Sequence, residues 1–204
     1  MDFEPWGGVM PGDWREGTLS DICSYNNERI LVSKLTLDTY ISTENMLANK
    51  GGFTSAANLP MISQTTAFIP GDTLISNIRP YFKKLVYCGF NGGCSTDVLC
   101  FRPNKSNLSL YVYNTVCSDN FFDHMIAGSK GTKMPRGDKQ QIMNYQITIP
   151  TDAVLDEFID LVAPMSKKRL LLEKEFAILT ALRNTLLPKL MSGELSVADI
   201  DPAK

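Results

Sequence analysis

Residues 151–193, TDAVLDEFIDLVAPMSKKRLLLEKEFAILTALRNTLLPKLMSG, place an apolar side chain at every seventh position: Phe158, Met165, Leu172, Leu179 and Leu186. That is the period of a helix that lies against another helix. Thr151 suits the N-cap and Ser192-Gly193 the C-terminal stop. Asp152, Asp156, Glu157 and Asp160 crowd the early turns, and Arg183 and Lys189 the late ones, as the helix dipole favours. At about 1.5 Å per residue such a helix is about 60 Å long. A domain built from the 150 residues before it has a radius of gyration of about 15 Å. The helix therefore overshoots its own domain, and part of its apolar stripe is left for a partner. The competing expectation is a helix broken at Pro164 and Pro188 that folds back onto the domain.

A chain of 204 residues with 44% apolar content suits one domain with a proper core plus an appendage. The N-terminus is acidic and polar and lacks the basic-then-apolar pattern of a secretory signal. No apolar run approaches the roughly 18 residues that span a bilayer. A cytoplasmic protein that enters no membrane is expected. Five cysteines, an odd number, argue for reduced thiols rather than a disulfide framework. The net charge of −2 hides an asymmetry: residues 1–72 carry −5, residues 73–150 carry +5 and residues 151–204 carry −2. A polyanionic partner is thus compatible with the near-neutral total.

Residues 1–12, rich in Gly and Pro, read as a leader or linker, and residues 194–204 as a tail. Between them, 13–150 form the domain and 151–193 the long helix. Short apolar runs at 37–41, 66–69, 73–78, 84–88, 98–102 and 145–149 predict strands. Pro70-Gly71-Asp72 and Asn91-Gly92-Gly93 are turn chemistry between them. Residues 108–125 predict a helix. The fold class is α+β: a mostly-β domain followed by a long C-terminal helix.

No convergent catalytic set is visible. The one histidine, His124, has no local mark of a general base. Cys88, Cys94 and Cys100, six apart, lack zinc-site spacing and read as buried free thiols. GSKGTK at 128–133 lacks the length and the Lys-Ser/Thr ending of a phosphate loop. No metal and no cofactor is expected on this chain.

A binding protein's residues remain. GSKGTKMPRGDK at 128–139 can bring backbone N–H groups and cations close to phosphates. Residues 79–84, RPYFKK, interleave bases with aromatics. Charge and loop chemistry nominate Ser76, Asn77, Arg79, Tyr81, Lys83 and Lys84 from the first cluster as a DNA face. From the second they nominate Lys130, Thr132, Lys133, Arg136 and Lys139. Asn77, Gln140, Gln141 and Asn144 near these clusters suit adenine edges, as Arg and Lys suit guanine. Each such residue taken singly is more often an ordinary surface residue.

LRNTLLPKLMSGELSV at 182–197 resembles the helix end of the specificity subunits of type I restriction–modification systems. Four further strings are similar to that family's landmarks, in the same order. MPGDWREGTLSDI (10–22) resembles the entry to a target recognition domain, and GDTLISNIRPYFKKL (71–85) its central strand and turn. GCSTDVLCFRP (93–103) resembles the following strand, and GSKGTKMPRGDKQQIMNYQITIP (128–150) the closing segment.

The resemblance implies a non-catalytic DNA-reading subunit. Each target recognition domain of the family reads one half of a bipartite sequence. The long helices fix the spacing and dock methyltransferase subunits, which bring S-adenosylmethionine and methylate adenine. In systems that cut, a restriction subunit joins. A usual member has two recognition domains and two long helices, so this chain resembles a half-subunit. A homodimer is expected, joined by an antiparallel coiled coil over 152–192. Met165, Leu172, Phe176, Leu179, Leu182 and Leu186 are the interface candidates. Two-fold symmetry then predicts a palindromic bipartite site on double-stranded DNA. Alternatives from other classes are a protein-interaction module, a standalone DNA binder and a cysteine enzyme.

Overall fold

Thr73–Ser76, Leu85–Tyr87 and Val98–Pro103 carry apolar side chains at consecutive rather than alternate positions. Strands of that kind need cover on both faces. In the computed structural model, which describes residues 11–131 and 133–196, they lie in a central sheet covered on both sides.

In chain order the elements begin with β1 (Arg15–Thr18), α1 (Leu19–Ile22), β2 (Cys23–Tyr25), β3 (Arg29–Leu31), β4 (Tyr40–Ile41) and β5 (Gln64–Phe68). Next come β6 (Thr73–Ser76), β7 (Leu85–Tyr87), β8 (Gly92–Cys94) and β9 (Val98–Pro103). The last are α2 (Ser109–Cys117), α3 (Asp119–Ala127), α4 (Lys139–Met143), β10 (Gln146–Ile149) and α5 (Asp152–Met191). Strands β2-β9-β6-β7 make the central antiparallel sheet. Strands β3-β5-β8-β4 make a second, in which the β4–β8 pair is parallel. β1 and β10 form a separate ribbon, with Arg15 opposite Ile149.

Successive side chains on a strand face opposite ways. Ile75, Leu85, Leu99 and Phe101 therefore enter one core with Val112, Val116, Phe121 and Phe122 of α2 and α3. Leu74, Val86, Val98 and Cys100 enter the other, with Ile41, Phe68 and Cys94 of the second sheet. The layers are helix, sheet, sheet. At the rim the buried Asp72 takes the Arg102 guanidinium in two hydrogen bonds, Nε to Oδ1 at 3.0 Å and Nη2 to Oδ2 at 2.8 Å. A paired charge of this kind tolerates burial where a lone carboxylate would not.

The structure departs from the sequence reading in several places. Asn91-Gly92-Gly93, expected as a turn, contributes both glycines to β8. They are there for room: a Cβ on Gly92 would lie 2.3 Å from the Thr39 carbonyl oxygen and 2.4 Å from the Phe68 ring. The strand expected at 37–41 shrinks to Tyr40–Ile41, because the Thr39 hydroxyl accepts the Thr36 N–H at 2.8 Å and holds a turn instead. The helix expected at 108–125 is two, since Ser118 leaves the helical conformation and caps α3 through Phe121 N–H at 3.2 Å. β1, β2 and β3, too short for a period to show, went unread.

α5 runs continuously through Pro164 and Pro188, as the long-helix expectation has it and against the competing one of a break. Each proline withholds one donor, and the residues four before them, Asp160 and Asn184, are exposed, so water can serve their carbonyls. The helix ends at Gly193, whose φ of 77° is the left-handed stop. The chain divides into two units between Ala163 and Pro164. In the first, Leu155 is buried and Phe158 meets the Tyr111 ring edge-on at 6.3 Å. In the second, Met165, Leu172, Phe176, Leu179, Leu182 and Leu186 are uncovered, from 36% exposed at Leu186 to 71% at Phe176. Among the described residues no helix is long and apolar enough to cross a membrane.

Candidate nucleic-acid interface

The two basic clusters, some fifty residues apart in sequence, are joined backbone to backbone. Arg79 N–H donates to the Pro135 carbonyl at 2.8 Å, and Gly137 N–H donates to that of Asn77 at 3.2 Å. Ile78 lies antiparallel opposite Arg136. Lys130 and Arg136 in turn exchange both backbone hydrogen bonds at 2.9 Å. Gly131, at φ 104°, makes the reversal between them.

Pro80–Phe82 forms a single 3₁₀ turn, with Pro80 buried at its base. Arg79 (φ 49°) and Lys83 (φ 49°) flank it, both left-handed. A second loop clasps the turn: Asn49 N–H donates to the Phe82 carbonyl and Lys50 N–H to that of Lys83, both at 2.8 Å. Asn49 (φ 54°) and Lys50 (φ 60°) are left-handed too. These four are the positive-φ residues other than glycine among the described residues. Each costs about 1 kcal/mol or more, and such strain collects where a shape is held for function.

The charges are arranged in pairs. Asp119, at the start of α3, accepts Lys83 Nζ at 2.8 Å and Lys50 Nζ at 3.0 Å. Those two hydrogen bonds, with Lys83 the stronger influence, hold its carboxyl down at about 2. Its carboxylate in turn raises Lys83. Lys130 Nζ lies 2.7 Å from Asp138 Oδ2, which raises the lysine and lowers the acid. Arg136 reaches Asp97 at 3.3 Å. In each pair one member is more than half exposed, so the pairs are weak. Among the described residues Arg79, Lys84, Lys133 and Lys139 have no carboxylate partner. Lys84 Nζ donates to the Thr43 carbonyl at 2.5 Å, and Lys139 Nζ lies 5.8 Å from the centre of the Tyr25 ring.

Two of the nominated residues are buried. Ser76 is buried in β6 and donates to the Ile78 carbonyl at 3.0 Å. Asn77 is buried beside Gly137, its Oδ1 without a hydrogen-bond partner. The sequence reading nominated both for the DNA face; both are buried, Ser76 as the last residue of β6 and Asn77 directly after it. Arg79 is half-buried and its Nε is also unpartnered. Tyr81, Lys130, Lys133, Arg136 and Lys139 are exposed, and Lys83 and Lys84 partly so. Thr132 lies outside the described residues.

Sequence reasoning missed Asn49 and Lys50, and the acids Asp97, Asp119 and Asp138 that organise the cations. Asn-Lys-Gly-Gly at 49–52 was a readable turn signal. The acids carried none, since their partners are remote in sequence.

Other chemistry-bearing groups are engaged in internal contacts or buried. His124 Nε2 hydrogen-bonds the Gln141 carbonyl at 2.9 Å, and the Gln141 side-chain amide donates back to the His124 carbonyl. Together they tie α3 to α4. Cys88, Cys94 and Cys100 are free and buried; burial pushes Cys94 up to about 12 and the other two upward as well. Among the described residues no group of three or more His, Cys, Asp or Glu side chains could hold a metal ion. A groove of about 760 Å³ lined by Trp14, Tyr111, Tyr145, Val154 and Phe158 shares no residue with the basic seam.

Residues 11–159 match a family model described as the type I restriction modification DNA specificity domain. The type I restriction enzyme MjaIX specificity subunit of Methanocaldococcus jannaschii is 38% identical over 71 residues, 35% of this chain and 16% of that protein. A solved structure of the HsdS subunit from Thermoanaerobacter tengcongensis is similar at 18% identity and TM-score 0.55, covering 96% of this chain and 53% of the other. The type I restriction–modification S subunit from M. genitalium is similar at 11% identity and TM-score 0.57, covering 90% and 48%. A chain from a structure of type I restriction–modification complex assembly and conformational transition gives 20% identity and TM-score 0.59, covering 96% and 52%. The chain thus spans about half the length of the solved structures it matches, and these likenesses describe its fold.

Proposed function

The chain belongs to the family of type I restriction–modification DNA specificity domains, and from that premise we propose that it reads one half of a bipartite duplex target. The observation that carries this reading is the seam: two basic segments remote in sequence are hydrogen-bonded into one strained, solvent-facing surface. Residues 13–150 are the recognition domain and 151–193 the spacer and assembly helix.

Two copies pair antiparallel through α5 over residues 152–192, burying Met165, Leu172, Phe176, Leu179, Leu182 and Leu186. The uncovered heptad stripe supports that pairing. The dimer positions methyltransferase subunits on DNA in the cytoplasm, with restriction subunits where the system cuts. S-adenosylmethionine belongs to the methyltransferase, and this chain contributes sequence choice without chemistry of its own.

The test is a salt titration of DNA binding by the assembled complex, with Arg79→Ala/Arg136→Ala beside the wild type. Loss of two phosphate contacts weakens binding and lowers the slope of log K against log salt by about one per contact. Unchanged affinity and slope would remove the seam from the DNA face.

A further inference from the structure

The seam carries one feature that phosphate binding leaves unexplained: two adjacent aromatic rings, Tyr81 and Phe82, stand 49% and 39% exposed at its tip. Their centroids are 4.8 Å apart and the rings tilt by 53°. The turn beneath them is fixed on three sides. Pro80 is buried, Arg79 is bonded to the 135 loop, and the 49–50 loop is bonded to the Phe82 and Lys83 carbonyls. Four left-handed residues hold this shape. A mobile loop could fold its aromatics away from water, but this one holds them out.

We propose that the Tyr81–Phe82 turn is a rigid aromatic wedge that stacks against nucleobases at one unstacked step in the half of the target duplex that its chain reads. The inference rests on the DNA-reading function above and adds what the seam recognises: the base step's deformability rather than phosphate charge alone. Charge favours DNA over protein as the occupant. Arg79, Lys83 and Lys84 flank the rings within the same six residues, and Lys84 Nζ lies 5.9 Å from the Phe82 ring centre. Any base offers a π-face to such a platform. Pyrimidine–purine steps unstack most readily and are the steps the wedge selects.

The experiment uses the full chain assembled with its methyltransferase subunits, and a target duplex enriched from a random-sequence pool by that complex. 2-Aminopurine is placed at successive positions, and its fluorescence is read with and without protein. The wedge predicts a several-fold fluorescence change at one step in each half-site, other than that of the methylated adenine. Tyr81→Ala/Phe82→Ala abolishes that change and weakens binding about tenfold, with the salt slope unaltered because no charge is removed. Tyr81→Leu/Phe82→Leu keeps the apolar bulk without the π-face. It weakens binding likewise, and it answers the question if the alanine pair fails to fold.

Wild-type affinity in the folded leucine variant, or an unchanged fluorescence pattern in either folded variant, overturns the wedge. So does a loss of methyltransferase uptake with DNA contacts intact, which makes the rings a protein contact. Failure of the wild-type complex to enrich any sequence defeats the DNA-reading function itself and is thereby distinguished.

Discussion

Residues 11–163 and the helix beyond Pro164 use apolar side chains in opposite ways. In the first unit Leu74 and Ile75, neighbours on one strand, are each buried in a different core. In the second, Leu171, Leu172, Ile178 and Leu179 are all more than half exposed. The first region has spent its hydrophobic burial on its own fold. The second holds its burial in reserve, since each large side chain fully covered contributes about 1.5–3 kcal/mol. The first unit buries two cores within the chain, and the exposed stripe of the second is what the proposed dimer would cover.

The sharpest break of that contrast is Leu172→Asp/Leu179→Asp. It converts the proposed dimer wholly to monomer by sedimentation while leaving the thermal unfolding of the domain unchanged. A variant that stays dimeric places the interface elsewhere. The reverse experiment is Arg102→Met, which leaves Asp72 buried and unpaired. It costs about 3 kcal/mol or more in urea unfolding of the domain and leaves dimer mass intact. Gly92→Ala comes next, at about 2 kcal/mol from overpacking against Thr39 and Phe68. Full stability there would show that β8 shifts freely, contrary to its close approach.

The smallest effect is a titration. Asp119 in the folded state lies at about 2, below its ordinary 3.8. A depressed carboxyl stabilises the fold fully above the ordinary value. That contribution is lost as pH falls from about 3.8 towards 2. Carboxyl carbon NMR should show its midpoint move up towards the ordinary value in Lys83→Met, and an unmoved midpoint would deny the pair.

The contrast also explains what the sequence made legible. The heptad at Phe158, Met165, Leu172, Leu179 and Leu186 is a property of one element, and with the Thr151 cap and the Ser192-Gly193 stop it placed α5 within a residue or two of its ends. The consecutive apolar runs of β6, β7 and β9 were readable for the same reason. The seam was legible as two charged strings but not as one surface. Its unity comes from hydrogen bonds such as Arg79 to Pro135 and Lys50 to Lys83, which no local pattern announces. The burial of Ser76 and Asn77 at the end of β6 was not legible, because polar residue type carries no sign of it. Gly92 and Gly93 were read as a turn because glycine's freedom and glycine's smallness leave the same letter in the sequence.

The most direct measurement is enrichment of random duplex DNA by the chain assembled with its methyltransferase subunits, followed by sequencing. Two identical readers joined through α5 predict an inverted repeat with a fixed, unspecified spacer. An asymmetric motif, or no enriched motif at all, would contradict the reading of this chain as one symmetric half of a DNA specificity subunit.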